Sequence, residues 1–390
     1  MRIFFYIFLF SCLYLNSAKA ADVIDQGTNC GQNCSWSLDE DGNLIIKGSG
    51  NITLHPWTAH TDIKTVSIQD GLSSIPYAAF FNLNQITEVD VPRSVKSIGA
   101  AAFQGTKITS INLPEGIETI ERAAFDGTLL NELTLPSTLK SIGNNAFSGT
   151  KIKNVTLPEG TKSIGQQAFA NTLLESVELP SSLETIGKHA FWSASALKEI
   201  IIPGNVSTIA SNAFEGASKL EKVVFEQGSK VKSLEYGAFM GDSKLTTIAL
   251  PDELETIGER VFFGCSQLRN LVIPDSLTSI GSQAFYEVSL AKITCSEENL
   301  SKYLNALGGF QGVPEIVCTK GACENALKGT KYEGKVNITY PLREEVQADG
   351  SIAIYRHGKF VGFKNKRIYS VDEAEMLSKP TGNKFRIRYR

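Results

Sequence analysis

The sequence predicts a β-rich α/β solenoid, in which short parallel strands stack from one repeat to the next. Three observations predict it: a phrase of close to 22 residues recurs from residue 66 onward, a phenylalanine holds a fixed place in each repeat, and a proline usually ends the strand segment. The chain of 390 residues is 42% hydrophobic and 20% charged, which is typical of a protein with a buried core. Because repeats of this length stack in a line, they decide the architecture.

Residues 1–20 are predicted to be a secretory signal peptide. Arg2 precedes an apolar run from Ile3 to Leu15, and Ala18-Lys19-Ala20 has the small-x-small pattern that precedes a cleavage site, here after Ala20. An alternative takes Cys12 as a lipoprotein cleavage site, which bulky Phe10 disfavours. We therefore expect a secreted, extracellular or envelope protein in which disulfides persist, and no transmembrane span in the mature chain.

Residues 21–65 are predicted to form an amino-terminal β-rich cap. Trp36 and Leu38 alternate before the turn residues 39–43, and Leu44 and Ile46 alternate after them, which indicates a β-hairpin. A plain turn is favoured over a calcium loop there, because the alternating ligands of such a loop are missing. Two cysteines, Cys30 and Cys34, are candidates for a disulfide at the base of this hairpin.

Residues 66–294 are predicted to form about ten repeats of 22–25 residues. Typical phrases are INLPEGIETIERAAFDGTLLNE and LTLPSTLKSIGNNAFSGTKIKN. The repeated phenylalanines are predicted to stack as a continuous spine, and they are Phe80, Phe103, Phe125, Phe147, Phe169, Phe191, Phe214, Phe239, Phe262 and Phe285. This period, with an L-x-x-L-x-L core, is the leucine-rich repeat signature, and it predicts a parallel sheet on the concave face.

The strand core is represented by Leu129, Leu133 and Leu135, which are predicted to point inward. The proline after each core lacks an N–H group and therefore ends the strand. A second apolar pair, such as Ile117 and Ile120, is predicted to line the returning segment.

The phrase LP-x-x-[IL]-x-x-I-x-x-x-AF-x-G is similar to the repeat consensus of the BspA-like leucine-rich repeat family. The stretch CGQNCSWSLDEDGNLIIKGSGNI also resembles the amino-terminal module that precedes such repeats. The resemblance covers about 220 residues and implies adhesion or cell-cell contact at a microbial surface. No ligand-binding residue transfers with it, because the shared residues build the scaffold.

The carboxyl-terminal part is predicted to hold two further units. Residues 295–330 form a Cys-containing cap, in which Ser296 begins a short helix and Cys318 and Cys323 are candidates for a local disulfide. The pairing of Cys265 and Cys295 stays open. Residues 331–390 form a small basic α+β module, with ten Lys or Arg between 351 and 390, whereas residues 21–350 carry a net charge of −12.

The sequence predicts no catalytic, metal or cofactor site. It contains no G-x-S-x-G, P-loop, G-x-G-x-x-G after a strand, or H-E-x-x-H motif, and its four histidines are scattered. Cys265 stands where other repeats have Thr or Ala, and we interpret it as a small apolar residue of a buried turn. A non-catalytic protein is therefore expected.

One exposed column of the predicted strands changes character along the repeats. Five polar residues are followed by four apolar ones, which are the candidate partner-binding residues Ile201, Val224, Ala249 and Val272. Two alternatives are that β-branched residues simply favour strands, or that the basic module folds over them.

We expect recognition of a protein or glycan at a cell surface; the alternative function is an envelope structural protein whose basic module docks to an anionic polymer. Nucleic acid is not expected, and the oligomeric state stays open.

Overall fold

The structure is a computed structural model that describes residues 21–307, 314–330, 333–346, 352–356 and 359–364. The predicted signal peptide lies outside these residues, and so do the stretches VDEAEMLS and NKFRIRYR of the predicted basic module. The described part contains β1 Val23–Gly27, β2 Asn33–Asp39, β3 Asn43–Asn51, a 3-10 turn Pro56–Ala59, β4 Thr65–Ile68, β5 Leu72–Ile75, β6 Glu88–Asp90, β7 Ser97–Ile98, β8 Thr119–Ile120, β9 Ser141–Ile142, β10 Asn154–Thr156, β11 Ser163–Ile164, β12 Ser176–Glu178 and β13 Thr185–Ile186.

The second half of the described chain continues the same alternation and then adds two helices. Its elements are β14 Glu199–Ile202, β15 Thr208–Ile209, β16 Lys222–Phe225, β17 Ser233–Leu234, β18 Thr247–Ile248, β19 Thr256–Ile257, β20 Asn270–Val272, β21 Ser279–Ile280, β22 Lys292–Cys295, α1 Glu297–Leu307, β23 Glu315–Cys318, α2 Cys323–Leu327, β24 Ile338–Thr339, β25 Arg343–Val346, β26 Ile352–Arg356 and β27 Lys359–Lys364. The predicted class, a β-rich parallel solenoid with few helices, is confirmed.

The amino-terminal strands form the predicted hairpin. Strands β2 and β3 pair antiparallel, with Trp36 opposite Ile46 and Leu38 opposite Leu44. The carboxylate of Asp39 accepts hydrogen bonds from the backbone N–H of Asp41 at 3.1 Å and of Asn43 at 2.8 Å, which makes a plain turn. A disulfide joins Cys30 to Cys34, with their Cα atoms 5.3 Å apart.

The repeats carry two series of parallel strands. The continuous series, β5, β7, β8, β9, β11, β13, β15, β17, β19 and β21, forms an unbroken ladder that begins on β3. The interrupted series, β4, β6, β10, β12, β14, β16, β18, β20, β22, β23 and β24, is divided among several sheets. The core of each repeat therefore lies between the two strand series, and one face of each strand is buried against it.

The segment that forms the regular sheet is not the one that the sequence predicted. We expected the L-x-x-L-x-L segment to supply the sheet, but between β6 and β10 that segment forms only an isolated bridge between Asn112 and Thr134. The return forms the unbroken ladder instead, and a glycine contributes to it: a Cβ atom on Gly165 would lie 2.5 Å from the backbone nitrogen of Asn144. Small residues here allow consecutive backbones to approach closely enough for regular pairing.

The assignment of Leu129 to the strand core was wrong. Its side chain is 41% exposed, whereas Leu130 is fully buried. The correct spacing is Leu130, Leu133 and Leu135, because the residue three positions before the second core residue faces inward. Because Leu129 and Leu130 are adjacent in the phrase TLL, the sequence alone does not indicate which of the two is buried.

Each Ala-Phe turn is flanked by residues in the left-handed conformation. In one repeat these are Ala123, with a φ of 56°, and Gly127, with a φ of 67°. For a residue with a Cβ atom this conformation costs about 1 to 2 kcal/mol. Backbone hydrogen bonds to the next repeat are made in the same turn. The N–H groups of Ala123, Phe125 and Gly127 each donate to a carbonyl oxygen of that repeat, with N···O distances of 2.8 Å.

The phenylalanine spine is present and is longer than predicted. All ten phenylalanines are fully buried, and neighbouring rings stack with centroids 5.2 to 5.7 Å apart and interplanar angles of 3° to 21°. Trp57 extends the stack beyond Phe80 at 5.8 Å, and its Nε1–H donates to the carbonyl of Ala79 at 2.9 Å. Such pairs contribute about 0.5 to 1.5 kcal/mol each beyond the burial of their area.

The carboxyl-terminal end of the stack contains the predicted helix and a parallel sheet that continues beyond the repeats. Strands β20, β22, β23 and β24 form one parallel sheet, so pairing continues to Ile338–Thr339. Helix α1 follows Ser296, whose Oγ accepts from the N–H of Asn299 at 3.3 Å. A disulfide joins Cys318 to Cys323, and β25 to β27 form a separate antiparallel sheet.

We predict that Phe80→Ala lowers the free energy of unfolding by about 3 to 5 kcal/mol, because it removes a fully buried ring between Trp57 and Phe103. The adjacent Phe81→Ala is the matched control, and it should change stability by less than about 0.5 kcal/mol because Phe81 is 44% exposed. Denaturant titration followed by tryptophan fluorescence measures both. Equal losses for the two variants would contradict the role of the spine.

Candidate functional site

The apolar patch predicted on the interrupted series is exposed in the structure. We use the name apolar patch for Ile201, Val224, Ala249 and Val272. Ile201 is 49% exposed and pairs with half-buried Val224 on the next strand, and exposed Ala249 follows directly after β18. Because Val223 pairs with Ile248, Val224 and Ala249 are neighbours on the same outer face. Three members are therefore side by side.

The fourth member lies across a break in the sheet. Val272 is 55% exposed on β20, which pairs with β22, whereas β18 pairs with β16. The same outer column continues beyond Val272 through Thr294 and Val317, which are in register with it on β22 and β23. The apolar patch thus crosses from a three-stranded sheet to a four-stranded one.

Polar groups border the apolar patch. Lys222 and Glu199 form an ion pair with Nζ and Oε1 2.6 Å apart, next to Val224 and Ile201. Earlier in the same column, Thr156 donates its hydroxyl to Glu178 Oε2 at 2.9 Å. The outer column therefore changes from polar to apolar residues between Glu178 and Ile201. An exposed ion pair such as Lys222 with Glu199 contributes little to stability.

A second exposed cluster, which the sequence reasoning missed, lies in the Ala-Phe turns of adjacent repeats. The guanidinium of Arg260 lies 5.9 Å from the ring centroid of Phe263, and it donates to the hydroxyl of Tyr236 at 3.2 Å. Phe263 stacks on half-exposed Tyr286 with centroids 5.2 Å apart. A signal was present in the sequence, because the residue after the spine phenylalanine is aromatic in two consecutive repeats.

The histidines of the described residues are not grouped. His60 Nε2 lies 2.8 Å from Asp25 Oδ2, while His189 contacts Trp192 edge-on. Within the described ranges, no three His, Cys, Asp or Glu side chains come together as a metal site requires. Neither α-helix in the described part of the chain has the length and apolar character of a membrane-spanning segment.

One buried column of the repeats contains a carboxyl group that the sequence reasoning also missed. In four repeats this position is a threonine, whose hydroxyl donates to the carbonyl of the spine phenylalanine three residues earlier at 2.8 or 2.9 Å. The four threonines are Thr106, Thr128, Thr150 and Thr172. Asp242 takes the same position, is fully buried, and has no hydrogen bond of normal geometry to either carboxylate oxygen.

Burial is the main cause of the pKa shifts of the two titratable residues in this column, Asp242 and Cys265. It raises the pKa of Asp242 well above its ordinary value, and the backbone of Ala217 offsets this only in part. The next repeat places Cys265 there, where burial raises the pKa of the thiol well above its ordinary value and Sγ donates to the carbonyl of Phe239 at 3.2 Å. Burial thus disfavours the charged form of both side chains, and the burial of Cys265 agrees with its interpretation as a small apolar residue of a buried turn.

We predict that Asp242→Thr raises the free energy of unfolding at pH 7 by about 1 to 3 kcal/mol, because it replaces an unsatisfied buried group with a hydrogen-bonded hydroxyl. The gain should be larger at pH 7 than at about pH 4, since a carboxyl with a raised pKa in the folded state loses stability as pH rises above its pKa in the unfolded state. Denaturant titration at the two pH values measures it. The control, Thr150→Asp, should lose stability; a gain independent of pH would contradict the assignment.

The fold and the repeated spine define a leucine-rich repeat protein, and comparison with known families names its class. The BspA type leucine rich repeat region matches residues 57–128, 118–245 and 232–320, in six copies. The chain therefore belongs to the BspA-type leucine-rich repeat family. Proteins of this repeat family are generally non-catalytic, and the family suggests a protein-binding surface.

Three solved structures illustrate the likeness. A leucine-rich repeat protein from Eubacterium ventriosum is 22% identical, with coverage of 68% of this chain and 95% of that one and a TM-score of 0.37. The pneumococcal vaccine antigen PcpA is 19% identical, with 82% and 99% covered and a TM-score of 0.44. A leucine rich cell surface protein from Faecalibacterium prausnitzii is 20% identical, with 82% and 95% covered and a TM-score of 0.34. No curated protein matches the chain.

Proposed function

We propose that this protein is a secreted or surface-exposed, non-catalytic recognition protein that binds a protein or glycan at a cell surface through the apolar patch. The observation that carries the proposal is the exposure of Ile201 and Val272, at 49% and 55%, with Val224 and Ala249 between them on the same outer face. A row of adjacent apolar side chains on an exposed sheet gains free energy when a partner removes it from water.

The geometry suits recognition for a second reason. The strands that carry the apolar patch are held by a close-packed core, so the patch changes little in shape before binding and loses little conformational entropy. The ion pair between Lys222 and Glu199 lies at its border, where a polar rim is typical of protein interfaces. The protein-binding surface that the family suggests supports the same proposal.

Two competing origins of the apolar patch make different predictions. If these residues were present only because β-branched side chains favour strands, charged replacements would not affect binding. If the basic module of residues 331–390 covered the patch, removal of that module would increase binding. A binding experiment with patch variants and a deletion of the module therefore separates all three cases.

We predict that Ile201→Glu combined with Val224→Lys reduces capture of surface proteins by at least about tenfold, a loss of about 1.4 kcal/mol, because both changes place charges in an apolar interface. Mature protein, residues 21–390, is immobilised and incubated with detergent extracts of surface-labelled cells, and the captured label is quantified. The matched control is Asn112→Glu with Thr134→Lys, which introduces the same two charged side chains at exposed positions of the same outer column.

Retained capture by the patch variant, with the circular dichroism of all variants unchanged, would contradict the proposal. Equal loss in the control variant would show that the charges act without regard to position. Each substituted position is exposed or half-buried on a strand surface, so the fold should persist.

The alternative function rests on the ten Lys or Arg residues of segment 351–390. An envelope structural protein that docks to an anionic polymer through this segment is predicted to bind heparin, used as a model polyanion. The affinity should fall steeply between about 50 and 500 mM salt, because the Debye length decreases over that interval from above about 10 Å to below about 8 Å. Loss of heparin binding on deletion of 331–390, with surface-protein capture unchanged by the patch variant, would favour this alternative.

A further inference from the structure

Two cysteines lie side by side where the repeats end. Cys295 on β22 and Cys318 on β23 are in-register partners of neighbouring parallel strands. Both strands alternate between half-buried and buried residues, and the two cysteines occupy buried positions of the same phase. Their side chains therefore leave the sheet on the same inner face.

Cys318 also forms the disulfide with Cys323, at a Cα separation of 5.9 Å. In-register neighbours in a sheet are separated by about 4.8 Å, which lies within the range of about 4.4 to 6.8 Å that disulfides span. The sulfur of Cys318 is thus within reach of two partners. Cys295 is the unpaired one, and it is 1% exposed.

We propose that Cys295, Cys318 and Cys323 form a thiol–disulfide exchange site with two alternative bridges that share Cys318. In the exchange, the thiolate of Cys295 attacks Sγ of Cys318, the bond between Cys318 and Cys323 breaks, and a bond between Cys295 and Cys318 forms. Cys323 leaves as a thiolate and takes up the proton that Cys295 released. One disulfide and one thiol are present before and after, so no oxidant or reductant is consumed.

The resting state favours the bridge between Cys318 and Cys323. Burial, with a smaller contribution from the charge of Asp275, raises the pKa of the Cys295 thiol to about 12, so little of the attacking thiolate is present in the closed structure. Exchange consequently requires local opening that hydrates Cys295. Cys295 is the last residue of β22, and only Ser296 separates it from the start of α1, so this opening does not have to unfold the stack.

The two bridges hold different parts of the structure. The resting bridge ties β23 to the first residue of α2, and the carboxylate of Glu297 supports this arrangement by accepting from the N–H of Ala322 at 2.8 Å and from Nδ2 of Asn325 at 3.2 Å. The alternative bridge would join β22 to β23 and release α2 from its covalent tie. Exchange therefore strengthens the end of the repeat stack while it frees the segment that leads to β24.

The second unpaired cysteine is excluded from this site by its position. Cys265 lies in the buried column of the Ala-Phe turns, where its Sγ donates to the carbonyl of Phe239. It therefore serves as an internal control, and Cys265→Ser should leave the exchange unchanged.

The first test uses the mature protein with Cys323→Ser, oxidised with diamide, quenched in acid, alkylated and digested without reduction. Mass spectrometry should find Cys295 linked to Cys318 as the main disulfide of this region, with Cys265 alkylated, and the same link with Cys265→Ser added. With Cys295→Ser added instead, the link should be lost. If the protein retains its circular dichroism spectrum and Cys295 and Cys318 both remain alkylatable, the proposal is wrong.

A second test covers the case in which Cys323→Ser does not fold. Wild-type protein is treated briefly with a stoichiometric dithiol, reoxidised with diamide and quenched at intervals. The proposal predicts that the peptide linking Cys295 to Cys318 appears early and declines as the bridge between Cys318 and Cys323 returns. Return of that bridge alone at every interval would overturn the proposal.

Discussion

The stacking of one aromatic ring on the next joins adjacent repeats into a single core along the whole solenoid. From Phe80 to Phe262, each ring lies between the rings of the adjacent turns, and Trp57 and Phe285 are the end rings of the stack. A single repeat cannot bury its own ring, so the stability of each repeat is largely that of its two interfaces. The left-handed residues that flank each Ala-Phe turn are tolerated because this packing and the hydrogen bonds between turns outweigh their cost.

A spine of this kind separates the inside of the protein from its outer columns. The rings and the buried strand residues set the spacing between repeats. A substitution on an outer column therefore changes the surface without altering the core. The shift from Glu178 to Ile201 illustrates this freedom, since the inward-facing residues on either side are aliphatic in both strands: Val177 and Leu179 in one, Ile200 and Ile202 in the other. Inward changes are less free: Asp242 occupies a threonine position and lacks that residue's hydrogen bond.

The two ends of the stack are closed by different chemistry. At the amino terminus, Trp36 packs edge-on against Trp57 with centroids 6.3 Å apart, and the hairpin covers the first ring. At the carboxyl terminus, helix α1 packs on the last repeats, and the hydroxyl of Tyr303 donates to the carbonyl of Leu277 at 2.8 Å. Disulfides occur at both ends, where fewer neighbouring repeats are available to hold the chain.

Residue spacing and local patterns were sufficient to predict the features that repeat or that depend on neighbouring residues alone. The period of the repeats and the spine from Phe80 to Phe285 follow from residue spacing, and the hairpin follows from alternation around a turn. The cap of α1 at Ser296 is equally local. These features require only contacts within a repeat or between identical positions of adjacent repeats, and such contacts can be read from periodicity.

The packing of the folded chain determines which strand series is continuous, because regular pairing depends on how closely consecutive backbones approach. It also decided that Leu130 rather than Leu129 is buried, that Trp57 joins the spine, and that the apolar patch crosses a break before Val272. The proximity of Cys295 to Cys318 belongs to the same group, because their separation of 23 residues equals one repeat but the sequence there no longer contains the repeat phrase that would set the register. Contacts of this kind depend on the register of nonidentical segments, which no period in the sequence specifies.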